Sequence, residues 1–414
     1  MDAANNVDLR DAVRIEDPAF YLDDPWTTFD RMRREAPAFY YESLDTFVLT
    51  RYADIRDVVS KPEVFRNREG QFLNDVKYKD QLGDTTMTDS FFPKGGEQVG
   101  TTDGVRHQDL RRVLAPAFSA SAMEAMSGPI AEYTAELLDE VPVGEAFDWS
   151  VIATNIPIRA GSNLIGLPAA DHDRVLAWSE ELEKLGGNLT FEELQAAVAE
   201  FASLQRFIIE NIEHKRAHPG DADLLTVLLD AELHNDKVSQ ANVVTFAMTM
   251  LAAGSDTTRS LLNGLVYHFA RNPDQWDALR ADRSLVPLAV EETLRMVTPA
   301  RAFVRTAAED HEIAGQTIRE GQHLYLVYMA ANRDETVFSE PHRFDVTRKE
   351  AVKHLAFGGG AHVCAGSRLV RLEAPIVLNG LLDRFSRIEP AADPVPVMHV
   401  VRSGWETMPV VLHV

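Results

Sequence analysis

Between residues 104 and 297 the chain repeats apolar side chains at helical spacing with few interruptions, and this property restricts the fold more than any other. Val243, Phe246, Ala247, Met250 and Leu251 recur three and four residues apart, so a long helix is predicted over roughly 239–270. Further helices are predicted at Trp26–Glu35, at Tyr52–Ser60, as a pair over 170–215 broken by Gly186-Gly187-Asn188, and after Cys364 to about Phe385. Strand-like segments suggest small sheets near 37–51, 311–328 and 394–414. Residues 68–103, rich in Asp, Gly, Thr and Lys, are expected to be a long loop with at most one short helix, and loops of that length are often functional. No linker and no internal repeat divides the chain. One domain over 1–414 is therefore expected, mainly α with a minor β region.

Charge and cysteine content narrow the chemistry. Lys plus Arg is 41 and Asp plus Glu is 64, giving a net charge of −23 that repels a phosphate backbone. Nucleic acid is therefore not an expected partner. Cys364 is the single cysteine, so an internal disulfide, a zinc ribbon and an iron–sulfur cluster are excluded. A lone thiol suits a reducing compartment, and no apolar run approaches the ~18 residues of a membrane span. The polar start Met1-Asp2-Ala3-Ala4-Asn5-Asn6 does not resemble a signal peptide. A cytoplasmic protein without a membrane anchor is expected.

The most informative segment is Phe357-Gly358-Gly359-Gly360-Ala361-His362-Val363-Cys364-Ala365-Gly366. Three glycines permit a tight turn and close approach to a flat object. The cysteine precedes a helix from Ala365 onward, whose unpaired amides favour a thiolate suited to binding iron. A buried structural cysteine is the bland alternative. A thiol hydrolase with His362 as base is another, although a partner two residues away on a turn is poorly placed. HExxH, phosphate-loop, G-x-G-x-x-G and G-x-S-x-G patterns are not found.

Phe357–Glu373 resembles the F-G-x-G-x-H-x-C-x-G signature of the cytochrome P450 superfamily, the haem-thiolate monooxygenases. Further segments resemble family motifs in the family's order: His107-Gln108-Asp109-Leu110-Arg111, Ala253-Gly254-Ser255-Asp256-Thr257-Thr258, Glu292-Thr293-Leu294-Arg295, Ala331-Asn332-Arg333-Asp334 and Pro341-His342-Arg343-Phe344. The resemblance covers nearly the whole chain and is similar to the soluble bacterial members. It implies a single triangular-prism fold and a monomer. Haem b (iron protoporphyrin IX) is the implied cofactor, with Cys364 as the iron ligand and dioxygen as co-substrate.

The same resemblance assigns roles residue by residue. His107, Arg111, Arg305 and His362 are implied to pair with the haem propionates, and Phe357, Gly358, Gly366, Ala253 and Gly254 to line the haem. A widened turn of the central helix is implied at Asp256 and Thr257, with Thr257 bonding the activated oxygen and Asp256 relaying protons. The bland alternatives are a threonine bonded back to its own helix and an acid in a surface ion pair. Glu292, Arg295 and Arg343 are implied to form a buried structural cluster bracing the cysteine loop. Implied substrate contacts are Phe91, Phe92, Thr249, Ala252, Ala253, Ala300, Arg301, Phe303 and Val401, a mostly apolar set that points to a hydrophobic small molecule. Arg301 is a candidate partner for a substrate carboxylate. Two departures stand out in the helix after the cysteine: Val370 where the family usually has Ala, and Pro375, well inside the helix, where proline usually kinks or breaks it. Neither is expected to touch the chemistry. No flavin or nicotinamide fingerprint is present, so electrons are expected from a ferredoxin and its reductase, docking near Arg106, Arg112, Lys353 and Arg368. A non-catalytic haem sensor or carrier and a peroxide-driven hydroxylase are the rival functions on this fold.

Overall fold

The computed structural model describes residues 8–83, 85–183, 190–218, 223–233 and 236–414, so Gly186-Gly187-Asn188 lies outside the described residues. Its axis is a central helix, Gln240–Arg271. The Ser239 hydroxyl accepts the Asn242 amide at its start, and Asn272-Pro273 ends it. Two apolar clusters share this helix. Val243, Phe246 and Ala247 pack with Leu110, Phe201 and Ile208, whereas Leu261, Leu265 and Phe269 pack with Trp149, Ile156, Trp276 and Leu378. Each large side chain buried in this way contributes about 1.5–3 kcal/mol. That sum outweighs the weak helix propensity of Gly254 and Thr257, and the helix runs through both without a break.

A five-stranded sheet flanks the helices in the order Ala38–Tyr41, Thr46–Leu49, His323–Val327, Ala302–Ala307, Phe65–Arg66. Only the pairing of His323–Val327 with Thr46–Leu49 is parallel. The sheet brings Ala302–Ala307 to one wall of the interior.

The described residues of 68–103 hold three short α-helices, Leu73–Lys77, Lys79–Leu82 and Met87–Ser90, and a 3-10 turn at Val99–Thr101, where at most one short helix was expected. The polar residues that mark the stretch as loop act here as caps. Asp75 accepts the amides of Gln71 and Phe72 at 2.9 Å each, and the Thr86 hydroxyl accepts the Asp89 amide at 2.9 Å. The helix after the cysteine, Ser367–Arg384, continues through Pro375. Burial of Ala374, Val377, Leu378 and Leu381 against neighbouring helices offsets the ~3 kcal/mol that an internal proline costs. No described helix is long and apolar enough to cross a membrane.

Candidate functional site

A cavity of about 420 Å³ lies between the central helix and the loop Phe357–Gly366. Cys364 lines it, and the exposed surface of this residue faces that cavity. The Cys364 amide donates to the Phe357 carbonyl at 2.9 Å and closes the loop. The helix begins at Ser367, two residues beyond the expected start. The Gly366 and Ser367 amides donate to the Cys364 sulfur. Burial pushes the thiol up, while these amides and the charges of Arg111 and Arg371 pull the other way. The glycine run answers to a neighbour as well as to the cavity. A Cβ on Gly360, at φ +63°, would lie 1.8 Å from the Val59 carbonyl oxygen, and one on Gly359 would lie 2.8 Å from Val59 Cγ2. Helix Tyr52–Ser60 thus presses on the loop from outside.

Two arginines and two histidines ring one side of the cavity. Helix Gly104–Leu114 presents His107 and Arg111, one turn apart on its cavity face. Strand Ala302–Ala307 contributes Arg305, and the cysteine loop contributes His362. The His107 and His362 rings lie 4.0 Å apart. Burial and the neighbouring His362 and Arg111 hold His107 down at about 4. His107 Nε2 is buried with no partner among the described residues. Among the described residues no carboxylate pairs with Arg111 or Arg305; Arg305 donates to the Val304 carbonyl at 2.7 Å and interacts with the Tyr328 hydroxyl. Asp103, at 3.5 Å, steadies His362. Two guanidiniums without acids and an unsatisfied imidazole beside an apolar cavity fit a ligand that carries carboxylates.

The opposite wall is the central helix, where Ala253, Gly254, Asp256 and Thr257 all line the cavity. A Cβ on Gly254 would meet nothing within 4 Å. Thr257 Oγ1 donates to the Ala253 carbonyl at 2.7 Å, the back-bonded geometry of the bland alternative, while still facing the cavity. Asp256 is buried and paired with Arg402, so its ion pair is not a surface one. Arg402 was not legible as a site residue, since it stands 146 positions from its partner.

Phe91, Phe92, Thr249, Ala252, Ala300, Phe303 and Val401 line the cavity, joined by Met87, Leu114, Phe118 and Phe246 from the surrounding core. Arg301 does not line it. Ala300 faces the cavity and consecutive extended residues point to opposite sides. Arg301 accordingly turns away, donates to the His399 carbonyl and lies over the Tyr21 ring at 4.8 Å. The candidate role as a partner for a substrate carboxylate is corrected on this ground. Val370, expected to stay clear of the chemistry, also lines the cavity.

Beneath the cysteine loop, Glu292 and Arg295 form a fully buried pair at 2.7 and 2.8 Å, both side chains 0% exposed. The expected third member, Arg343, is corrected. Its side chain is 57% exposed and pairs with Glu340 at the surface, and only its carbonyl joins the cluster. Arg348 supplies the second cation, with Nε 3.1 Å from Glu292 Oε1. Arg295 also donates to the carbonyls of Asn332 and Pro341, and the Asn332 side chain accepts the Leu355 amide at 2.7 Å. The cluster thereby reaches the segment that enters the cysteine loop.

Architecture and site together have the form of the haem-thiolate oxidoreductases. A family model described as Cytochrome P450 matches residues 182–404. Cytochrome P450 107B1 of Saccharopolyspora erythraea is 34% identical, with 94% of this chain and 95% of that protein covered. The 6-deoxyerythronolide B hydroxylase of the same organism is 31% identical over 92% and 93%. The crystal structure of CYP109E1 from Bacillus megaterium in complex with corticosterone superposes with a TM-score of 0.82 at 27% identity, covering 94% of this chain and 99% of that one. The chain belongs to the cytochrome P450 family. It is a monooxygenase of that family, with the haem cofactor and the use of dioxygen that membership implies.

Proposed function

We propose that this chain holds haem b through Cys364 and inserts one oxygen atom of dioxygen into a hydrophobic small molecule, with electrons from a ferredoxin and its reductase. The observation that carries this is the Cys364 sulfur, aimed into the cavity and met by two backbone amides, across from Asp256 and Thr257 on the central helix. Bound haem supplies the iron at which dioxygen is split, and a thiolate ligand favours that cleavage. Arg111, Arg305, His107 and His362 offset the desolvation of two carboxylates. The Thr257 hydroxyl donates its hydrogen bond to the Ala253 carbonyl, which leaves its oxygen lone pairs to accept a hydrogen bond from the cavity. Asp256, one residue earlier, takes protons from the outside and passes them inward. Such a relay serves turnover and has no use in a sensor or carrier.

The apolar wall from Phe91 to Val401 excludes water and selects a hydrophobic substrate. Corticosterone, held by the Bacillus megaterium neighbour, is a molecule of that kind. Exposed Arg112, Lys353 and Arg368 support docking of an acidic electron donor on the cysteine side, although Arg112 is paired with Asp109 at 2.8 Å, as Arg106 is with Glu97 at 2.8 Å. The test is the spectrum of the dithionite-reduced, CO-treated protein. A Soret band at the red-shifted thiolate position is expected, and Cys364→Ala abolishes it. Protein that stays colourless after reconstitution with haemin, or a band that survives Cys364→Ala, overturns the assignment.

A further inference from the structure

Three side-chain amides meet at the cavity from the two ends of one stretch. Asn67 and Gln71 precede helix Leu73–Lys77, Gln98 precedes the turn Val99–Thr101, and all three line the cavity. Their backbone is fastened. The Gln71 amide donates to Asp75 at 2.9 Å, and the Gln71 carbonyl accepts the Val304 amide at 2.8 Å, which ties it to strand Ala302–Ala307. The Gln98 carbonyl accepts the Thr101 amide at 3.2 Å, and the adjacent Glu97 amide donates to the Asn242 side chain at the start of the central helix at 2.8 Å. The side chains then meet each other. Gln71 Nε2 donates to Gln98 Oε1 at 3.2 Å, and Asn67 Nδ2 donates to the Gly100 carbonyl at 3.0 Å. Gly100 makes room for them: a Cβ there would lie 2.9 Å from Gln71 Nε2 and Oε1 and 3.1 Å from Gln98 Oε1.

A side-chain amide carries two N–H donors and an oxygen with two lone pairs, and this cluster uses few of them. The Gly100 carbonyl only accepts, so the Asn67 amino group faces it and the Asn67 oxygen faces away. That oxygen is buried with no partner among the described residues, on a residue 2% exposed. The glutamine pair consumes one amino hydrogen and one oxygen whichever way both amides are turned, and among the described residues neither side chain makes another hydrogen bond. One oxygen and one amino group therefore stay open beside the apolar surfaces of Phe72, Val99 and Phe303. Polar groups left unmatched in such a place cost free energy, and a group that both donates and accepts removes that cost. A haem carboxylate only accepts, so it does not satisfy the open oxygens; its match is the arginines and histidines already described.

We infer that Asn67, Gln71 and Gln98 are specificity-determining residues, and that the substrate is an apolar molecule carrying a neutral group that both donates and accepts a hydrogen bond, a hydroxyl or a carboxamide. This rests on the monooxygenase reading of the same cavity given above. A plain hydrocarbon leaves the amides unmatched. A carboxylate sets its own charge against the open oxygens of Asn67 and the glutamine pair.

The experiment is a spin-shift titration of the full-length haem protein with two matched sets of probes. One set is adamantane, adamantanol, adamantane carboxamide and adamantane carboxylate; the other is dodecane, dodecanol, dodecanamide and dodecanoate. In at least one set the alcohol and the amide are expected to bind about tenfold more tightly than the hydrocarbon and the carboxylate. Gln71→Leu combined with Gln98→Leu loosens the alcohol and the amide by about tenfold and leaves the hydrocarbon bound as well or better. Gln98→Glu keeps the size, exchanges an amino group for a carboxylate and moves the preference to the adamantanamine cation. Should the leucine variant fail to fold, Gln98→Glu still reads the same contact. An alcohol and an amide held no more tightly than the hydrocarbon in both sets, or a preference that the folded variants retain, overturns the inference. The reduced CO spectrum separates the two readings: with the thiolate band present, such a result leaves the haem-thiolate assignment standing, whereas a missing band overturns both.

Discussion

Replacing Arg348 with Met tests the buried cluster under the cysteine loop. Glu292 is wholly buried and receives four hydrogen bonds, from Arg295 Nε and Nη2, from Arg348 Nε and from the Asp345 amide, at 2.7, 2.8, 3.1 and 3.0 Å. Arg348, 4% exposed, also donates to the carbonyls of Ser339, Glu340 and Arg343. Methionine keeps much of the volume and removes every one of those donors. Breaking a buried ion pair from one side costs about 3–5 kcal/mol, because the remaining polar groups stay in a dry interior. Arg343→Ala is the contrast. Its side chain meets Glu340 in solvent, and surface pairs of that kind contribute about 0–1 kcal/mol. Urea unfolding followed by circular dichroism reads both losses. The red-shifted CO band reports whether the cysteine loop is still presented correctly. Equal losses for the two variants, or a loss below about 1 kcal/mol for Arg348→Met, would refute the reasoning.

Three other outcomes are expected. Hydrogen bonds from His354 at 3.0 Å and Arg371 at 2.6 Å overcome the burial of Glu291 and bring it down to about 2. Its stabilising share is present above the unfolded value of about 4.3 and drains as pH falls towards 2, a change of about 3 kcal/mol that Glu291→Gln should flatten in urea titrations at pH 2–5. Arg112→Glu should slow reduction by the electron donor in a salt-dependent manner and leave substrate spin shifts unchanged; identical rates at low and high salt would count against the docking face. Gly360→Ala should cost about 2 kcal/mol or more, since a Cβ there collides with the Val59 backbone in a left-handed conformation, and a thermal midpoint equal to wild type would contradict this.

Much of the site was legible because it is local in the chain. The cysteine, its glycines and His362 lie within ten consecutive residues, and one helical turn is enough to pair His107 with Arg111 or Glu292 with Arg295. The central helix could be read because its apolar period persists for many turns. Less legible were the caps of the 68–103 stretch, where Asp75 and Thr86 look like loop residues until the amides they accept are known. Pro375 failed as a helix breaker for a related reason, since packing on both flanks outweighs its local cost.

By itself the chain of residues determined the helix-rich class, the cofactor loop and the chemical types gathered round it, since each depends on short-range spacing and on side-chain chemistry. Tertiary structure decided the partners. Arg348 rather than Arg343 closes the buried cluster, Arg301 turns towards Tyr21, and Arg402 meets Asp256 across the fold. An arginine's long side chain reaches whichever buried acid, ring or carbonyl the fold places within its radius, and that placement arises only when distant segments pack against one another.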